Sequence, residues 1–320
     1  MERNNDIKIQ TSKMIKKKVF IIGNGFDLDL GWKTRYSDFV ESPYGKFIKN
    51  YLHAGLADFL DRKSQMTKWF DLEMALREYA STKYSGNKII RQNDHEVFEV
   101  LTNKLMDYLY EEQKKPINTD SVAAKVFRSI IENGFFTSIY TFNYTNLGLI
   151  AKQLDLDTIS FEYVHGSIEK RSAILGVEDK TDLRPGYSFL YKTFNRYYES
   201  HHIQYDMAEA DEIVFFGHSL GRNDYHYFQQ LFRTQSSENL QRANSKRITI
   251  FTYDDASRIG ILEQLREMND RNTNLLFSLN DFQFICTKEN ITDEERLRRF
   301  LDHLAKDSLA EKRRQAQILI

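Results

Sequence analysis

Four polar clusters in this chain each follow a short run of apolar, β-branched or aromatic residues. The run at 18–22 (KVFII) leads into Gly23-Asn24-Gly25-Phe26-Asp27, and 136–142 leads into Asn143-Tyr144-Thr145. The run at 159–164 leads into His165-Gly166-Ser167, and 212–216 (EIVFF) leads into Gly217-His218-Ser219-Leu220-Gly221-Arg222-Asn223-Asp224. An amide at Asn143 and an imidazole at His165, facing one crevice, would orient a hydroxyl or a water and accept a proton near neutral pH. Gly23 and Gly25 permit a sharp turn that brings backbone N–H groups and a helix N-terminus against a phosphate. Asp27 and Asp224 suit either a ligand or a helix N-cap. For Asp224, just before the periodic YHYFQQLF, the cap is the stronger expectation.

Other chemistries compete for the same residues. Gly217 to Gly221 spells G-x-S-x-G, the nucleophile-elbow pattern, with Ser219 as nucleophile and Asp254 and His303 following in the order of that hydrolase fold. Against it, His303 falls within an amphipathic helical pattern instead of a strand-end loop. Leu28 occupies the third glycine position of G-x-G-x-x-G, which disfavours an ordinary nicotinamide dehydrogenase. His201-His202 and the pair His218 and His226 lack ligand spacing, HExxH is absent, and no metal is expected.

The elements that must position these residues read as an α/β pattern. Strands are expected at 18–22, 136–142, 159–164, 173–177, 212–216 and 247–253. Helical spacing links Trp69, Leu72, Leu76 and Tyr79, and also Phe98, Leu101, Leu105 and Leu109. Further helices are expected at 121–133, stopped by Gly134, and at 224–235 and 255–269. Near the end, Thr292 and Glu295 fit a capping box before the stripe Leu297, Phe300, Leu301 and Leu304. The implied architecture is a doubly wound, mostly parallel sheet with a helical insertion after its first βα unit. Residues 16–45 and 135–290 form the core, 46–134 the insertion and 291–320 a C-terminal helix and tail. In such a sheet the strand C-termini border the ligand crevice, so the four polar clusters converge.

Composition narrows the partners. Among 320 residues, 45 Lys+Arg against 46 Asp+Glu leave a net charge of -1, so no whole-chain basic field draws nucleic acid or an anionic membrane. Cys286 is the only cysteine, which rules out an internal disulfide and a Cys-rich zinc site and suits a reducing, cytoplasmic setting. The apolar runs are far shorter than a membrane span, and no signal-peptide pattern follows the basic start. Three prolines and no flexible-linker stretch suggest one compact unit, with the plentiful aromatics serving its packing.

Ile21-Ile22-Gly23-Asn24-Gly25-Phe26-Asp27-Leu28, then Gly31, Thr34, Tyr36 and Phe39, resembles the N-terminal signature of the AbiH family of bacterial abortive-infection proteins. The segments from Trp69 to Glu73, Thr141 to Thr145, Val164 to Gly166 and Gly217 to Asp224 follow in that family's order. More distantly, the chain is similar to sirtuin-like NAD-binding domains, which have G-A-G, T-x-N-x-D, His-Gly and G-T-S-L segments. The positions here are Gly23 to Gly25, Thr141 to Thr145, His165-Gly166 and Gly217 to Leu220. Two departures matter: Thr145 stands where the sirtuin aspartate would, and the four zinc cysteines are absent, so deacetylation is not expected. What the resemblance implies is a Rossmann-like antiphage effector that binds, and hydrolyses at its N-glycosidic bond, NAD or a related nucleotide. Asn143 and His165 would be catalytic, and Gly23, Asn24, Gly25, Asp27, Thr141, Gly217, His218, Ser219 and Asp224 would hold the ligand. Glu73 could reach over the crevice as an extra acid or base. Alternatives are a non-catalytic nucleotide sensor and a serine hydrolase at Ser219. Beyond the nucleotide, a phage-derived trigger and a homo-oligomer are the partners implied.

Overall fold

The computed structural model describes residues 17–46, 50, 55–66, 71–81, 91–133, 136–157, 159–288 and 293–318. Every side chain of β1 (Lys18–Ile22) is buried, and successive ones enter different cores: Phe20 and Ile22 one, Val19 and Ile21 the other. A strand buried on both faces reads as a continuous apolar run, which is why KVFII shows no polar alternation. The chain continues through α1 (Asn24–Asp29) and α2 (Tyr36–Glu41) into α3 (Gly55–Met66), α4 (Leu72–Ala80), α5 (Arg91–Glu112) and α6 (Val122–Asn133). It then alternates β2 (Ser138–Thr141), α7 (Leu147–Gln153) and β3 (Glu162–Tyr163) before a long irregular stretch and α8 (Ile203–Glu209). The remainder is β4 (Glu212–Phe216), α9 (Tyr225–Gln235), β5 (Arg247–Thr252), α10 (Asp255–Met268), α11 (Thr273–Leu279), β6 (Asp281–Cys286) and α12 (Glu294–Ile318).

The six strands form one parallel sheet in the order β3-β2-β1-β4-β5-β6. This is a doubly wound sheet, with its winding reversed between β1 and β4. On one face Phe20, Ile22, Val214 and Phe216 pack with α6, α7 and α12; on the other, Ile21, Ile213, Phe215 and Ile250 pack with α8 to α11. A third core joins α2, α3, α4 and α5 to Leu175, Val177, Tyr187 and Leu190.

Strand expectations fail in two places. The run 173–177 forms no strand of the sheet. Leu175 and Val177 are buried in the third core, Gly176 sits at φ 150°, and Val177 makes only an isolated bridge to Tyr191. Conversely, β6 was not anticipated: as an edge strand with partly exposed residues it lacks a continuous apolar signature. The expected strand at 159–164 contracts to β3. Trp69, Gly134 and Thr292 lie outside the described residues.

At the N-terminal edge of the sheet, Lys18 bonds Glu212 at 3.1 Å and Asp307 at 3.0 Å. His303 reaches Glu212 at 3.1 Å and approaches Arg247. These contacts pin α12 to the first residues of β1, β4 and β5. No helix among the described residues is long and apolar enough to cross a membrane.

The seam between β1 and β4 is closed by glycine. Gly217 has φ 64°, and a Cβ there would lie 2.4 Å from the Phe26 nitrogen; one on Gly25 would lie 2.6 Å from Gly217 Cα. Gly217→Ala is therefore expected to lower unfolding free energy by about 2–4 kcal/mol, combining overpacking with an unfavourable φ. Gly260→Ala, within α10 and facing open space, should raise it by roughly 0.5–1 kcal/mol. Urea unfolding of both variants checks the pair; a Gly217→Ala midpoint equal to wild type would refute the close approach.

Candidate functional site

A cavity of about 210 Å³ opens where the carboxyl ends of β1, β2 and β4 meet, the switch point at which such sheets bind ligands. Gly23, Asn24 and Asp27 line it from the turn after β1, Asn143 from the end of β2, and His165 from the turn after β3. Gly217, His218, Ser219 and Asp224 complete it from the loop after β4. Gly25 and Thr141 stay out of the lining. Gly25 packs on Gly217, while the Thr141 hydroxyl accepts the Asn143 N–H at 3.1 Å.

The glycine turn does not offer the phosphate contacts expected of it. The Gly23 N–H donates to the Phe216 carbonyl and the Gly25 N–H to the Gly217 carbonyl, both at 2.9 Å, so neither is free for an anion. Gly23 and Gly25 are required by the backbone approach of β1 to the loop after β4: a Cβ on Gly23 would lie 2.5 Å from His218 Cα. The Asn24 side chain is also occupied, exchanging hydrogen bonds with Thr34.

Neither aspartate side chain makes a cap bond. The N-cap of α1 is Gly23, and Asp27 lies buried inside that helix, accepting from Asn143 Nδ2 at 2.9 Å and the Thr145 hydroxyl at 2.7 Å. Burial pushes its carboxyl up to about 7 against the pull of these two donors. Asn143 Nδ2 also donates to the Gly23 carbonyl at 3.1 Å, so its amide nitrogen ties β2 to the turn after β1. Asp224 occupies the N-cap position of α9 but makes no cap bond. Its Oδ1 instead lies 2.9 Å from His165 Nε2, and its Oδ2 lies 3.6 Å from His218 Nε2.

A buried ammonium completes this cluster. Lys192 Nζ lies 3.2 Å from Glu73 Oε1, 3.5 Å from Asp224 Oδ1 and 3.3 Å from His165 Nε2. Burial alone would neutralise the lysine, but Glu73 and Asp224 more than offset it and hold it charged. Burial likewise opposes ionisation of Asp224, yet Lys192, then His165, hold its carboxyl well below the usual range. Glu73 goes the other way: burial raises it and Lys192 offsets only part. Burial lowers both imidazoles, His165 with help from Lys192 and His218 to about 4. Both rings are thus neutral at pH 7. His165 Nδ1 is buried without a hydrogen-bond partner.

α4 therefore reaches the crevice through Glu73, which also accepts from Asn223 Nδ2 at 3.0 Å. The sequence singles out Glu73 but not Lys192. The one local signal is that Lys192 stands inside the aromatic run FLYKTF, where flanking burial carries a lysine inward. Tyr36 and Tyr144 also line the cavity. A wider cavity of about 840 Å³ adjoins it, sharing Glu73, Ser219 and Asp224 and adding Arg77, Lys180 and Arg222. The serine-hydrolase triad is not assembled. Ser219 lies in the loop beyond Phe216, the last residue of β4, whereas His303 bonds Glu212, the first residue of that strand, and Asp254 caps α10.

Residues 19–245 match the family model described as bacteriophage abortive infection AbiH. Solved structures similar to the chain include a Sir2 homologue in complex with NAD, at 11% identity and TM-score 0.36, covering 82% of this chain and 91% of that one. Another is a Sir2 homologue with a histidine-to-asparagine change in complex with ADP-ribose, at 13% identity and TM-score 0.34, covering 82% and 94%. No curated protein matches the chain.

The protonation of Asp27 has a measurable consequence. Between 3.8, its ordinary value, and about 7, the folded state keeps the proton and the unfolded state does not. The stability this contributes is complete below pH 4 and is lost as pH rises through 7. Asp27→Asn, neutral at every pH, should remove that fall and leave the variant a few kcal/mol ahead of its own low-pH difference from wild type by pH 8. Chemical unfolding of both proteins from pH 4 to 8 checks this; parallel stability curves would contradict a buried, protonated Asp27.

Proposed function

The chain belongs to the AbiH family of bacteriophage abortive infection proteins, and on that footing we propose that it is an antiphage effector that binds NAD or a related nucleotide and hydrolyses its N-glycosidic bond. The observation that carries this reading is the state of His165: a neutral ring in the crevice, one nitrogen held by Asp224 and the other without a partner. Such a ring is a base waiting for a proton. Cleavage of the bond between nicotinamide and ribose leaves its electron pair on the nicotinamide nitrogen and positive charge on the sugar. The Glu73 and Asp224 carboxylates favour that charge. Water then adds to the anomeric carbon, and its proton passes to His165 Nδ1. Asn143, its amide nitrogen anchored, presents its amide oxygen to a ribose hydroxyl. The part of the nucleotide beyond the ribose occupies the wider cavity with Arg77, Lys180 and Arg222, since the N–H groups of Gly23 and Gly25 are taken.

A sensor that binds without turnover is the second reading, favoured by the double engagement of Asn143 Nδ2, which removes it as a donor to water. The two separate in one assay: nicotinamide release from NAD by purified protein, with and without phage lysate. Release is expected, with His165→Ala slower by about 100-fold or more. Because burial lowers the His165 pKa, its basic form persists into mildly acid solution, and the acid limb of the rate profile should fall below 6.5. NAD that raises the melting temperature without being consumed would establish the sensor instead. Neither release nor stabilisation would reject both readings.

A further inference from the structure

We propose that Asp224 is the positioning residue of the crevice, fixing the His165 ring with its proton on Nε2 so that Nδ1 is left as the unprotonated nitrogen. This builds on the glycohydrolase reading, but its first test does not require turnover. An ionised carboxylate oxygen 2.9 Å from an imidazole nitrogen needs a hydrogen between them, and that places the proton on His165 Nε2. Lys192 approaches the same nitrogen at 3.3 Å, but its ammonium is a donor and is directed to the oxygens of Glu73 and Asp224. Among the described residues only Asp224 and Lys192 bond the ring nitrogens, and since an ammonium cannot accept, Asp224 is the one acceptor for a proton on Nε2. Phe142 meets it edge to face at 5.2 Å, and Nδ1 has no partner. Asp224 therefore determines the tautomer of His165 alone.

His218 supplies an internal control. Its Nδ1 accepts the Leu220 N–H at 3.0 Å, so its tautomer is set by backbone whether or not Asp224 is present. The same carboxylate thus stands beside two imidazoles, only one of which depends on it. This division is what distinguishes a positioning role from general support of the fold, which would disturb both rings together.

The test is nitrogen-15 NMR of histidine-labelled protein. In wild type, His165 and His218 should both show a protonated Nε2 and a bare Nδ1. In Asp224→Asn, His165 should lose its single tautomer while His218 keeps its own. Unchanged His165 shifts in the variant would overturn the proposal, as would equal change in both rings. The wild-type spectrum decides by itself if the variant fails to fold: a proton on His165 Nδ1 overturns the assignment, and a slowly exchanging proton on Nε2 supports it. Where wild type releases nicotinamide, kcat of Asp224→Asn should fall by about 100-fold or more with little change in KM. Absence of release from wild type would remove the glycohydrolase reading and leave the tautomer result standing.

Discussion

Two carboxylates, Glu73 and Asp224, face the same buried space, and the site depends on the single ammonium of Lys192 placed between them. A buried ion pair is a poor source of net stability, because desolvation consumes most of the Coulombic gain. Removing one partner is far worse, since it strands a charge. The arrangement is therefore better understood as a constraint on geometry. Lys192 joins α4 of the insertion, the loop after β4 and the turn after β3 at one point, so none of these segments shifts without exposing an unpaired charge. One cation does not neutralise two anions equally. Asp224 also receives His165 and stays well below the carboxylate range, whereas Glu73, nearer the lysine, is raised by burial. The two carboxylates and the ammonium between them titrate as a coupled unit.

The seam between β1 and β4 makes that cluster possible. Gly23, Gly25 and Gly217 let the two chains approach until backbone bonds to backbone, which brings the loop after β4 over the end of β1. His218 and Asp224 then face Asn143 and His165 across the switch point. Asn143 adds a second tie, linking the end of β2 to the Gly23 carbonyl and to Asp27. α2, α4 and α5 close the remaining side with Tyr36, Glu73, Leu105 and Leu109, so the carboxyl ends of the strands open onto a covered crevice.

Much of this was legible in residue order. β1, β4 and β5 are buried on both faces, and the rule that ligands lie at strand carboxyl ends brings Asn143, His165 and His218 to one cavity, which they line. The same apolar signal misled at 173–177, where burial comes from the third core rather than from pairing. It was silent for β6, whose edge position leaves residues exposed. The glycines of the first turn matter for their missing Cβ and not for conformational freedom, since neither has a positive φ, and whether their N–H groups point to a ligand or to Phe216 and Gly217 is a long-range fact that no local pattern records. Asp224 shows the same limit. Its place before a helix predicts a cap, and only the approach of His165 and Lys192 reveals a better partner. Lys192 has only its aromatic neighbours to announce it, since its partners His165, Asp224 and Glu73 meet it only through folding.

The G-x-S-x-G segment illustrates how one backbone shape serves different chemistry. In a nucleophile elbow the sharp turn lifts a serine above the sheet. Here Gly217 stands at φ 64° and Leu220, a buried non-glycine residue, at φ 52°. A positive φ at such a residue costs of order 1–3 kcal/mol and persists only when its surroundings enforce it. The return is visible in the hydrogen bonds: the turn brings the Leu220 N–H onto His218 Nδ1 and fixes that ring beside Asp224. Ser219 is exposed at the lining of the crevice. The strain in this loop thus orients an imidazole rather than activating a hydroxyl, and the second glycine-rich segment, like the first, works by placing backbone.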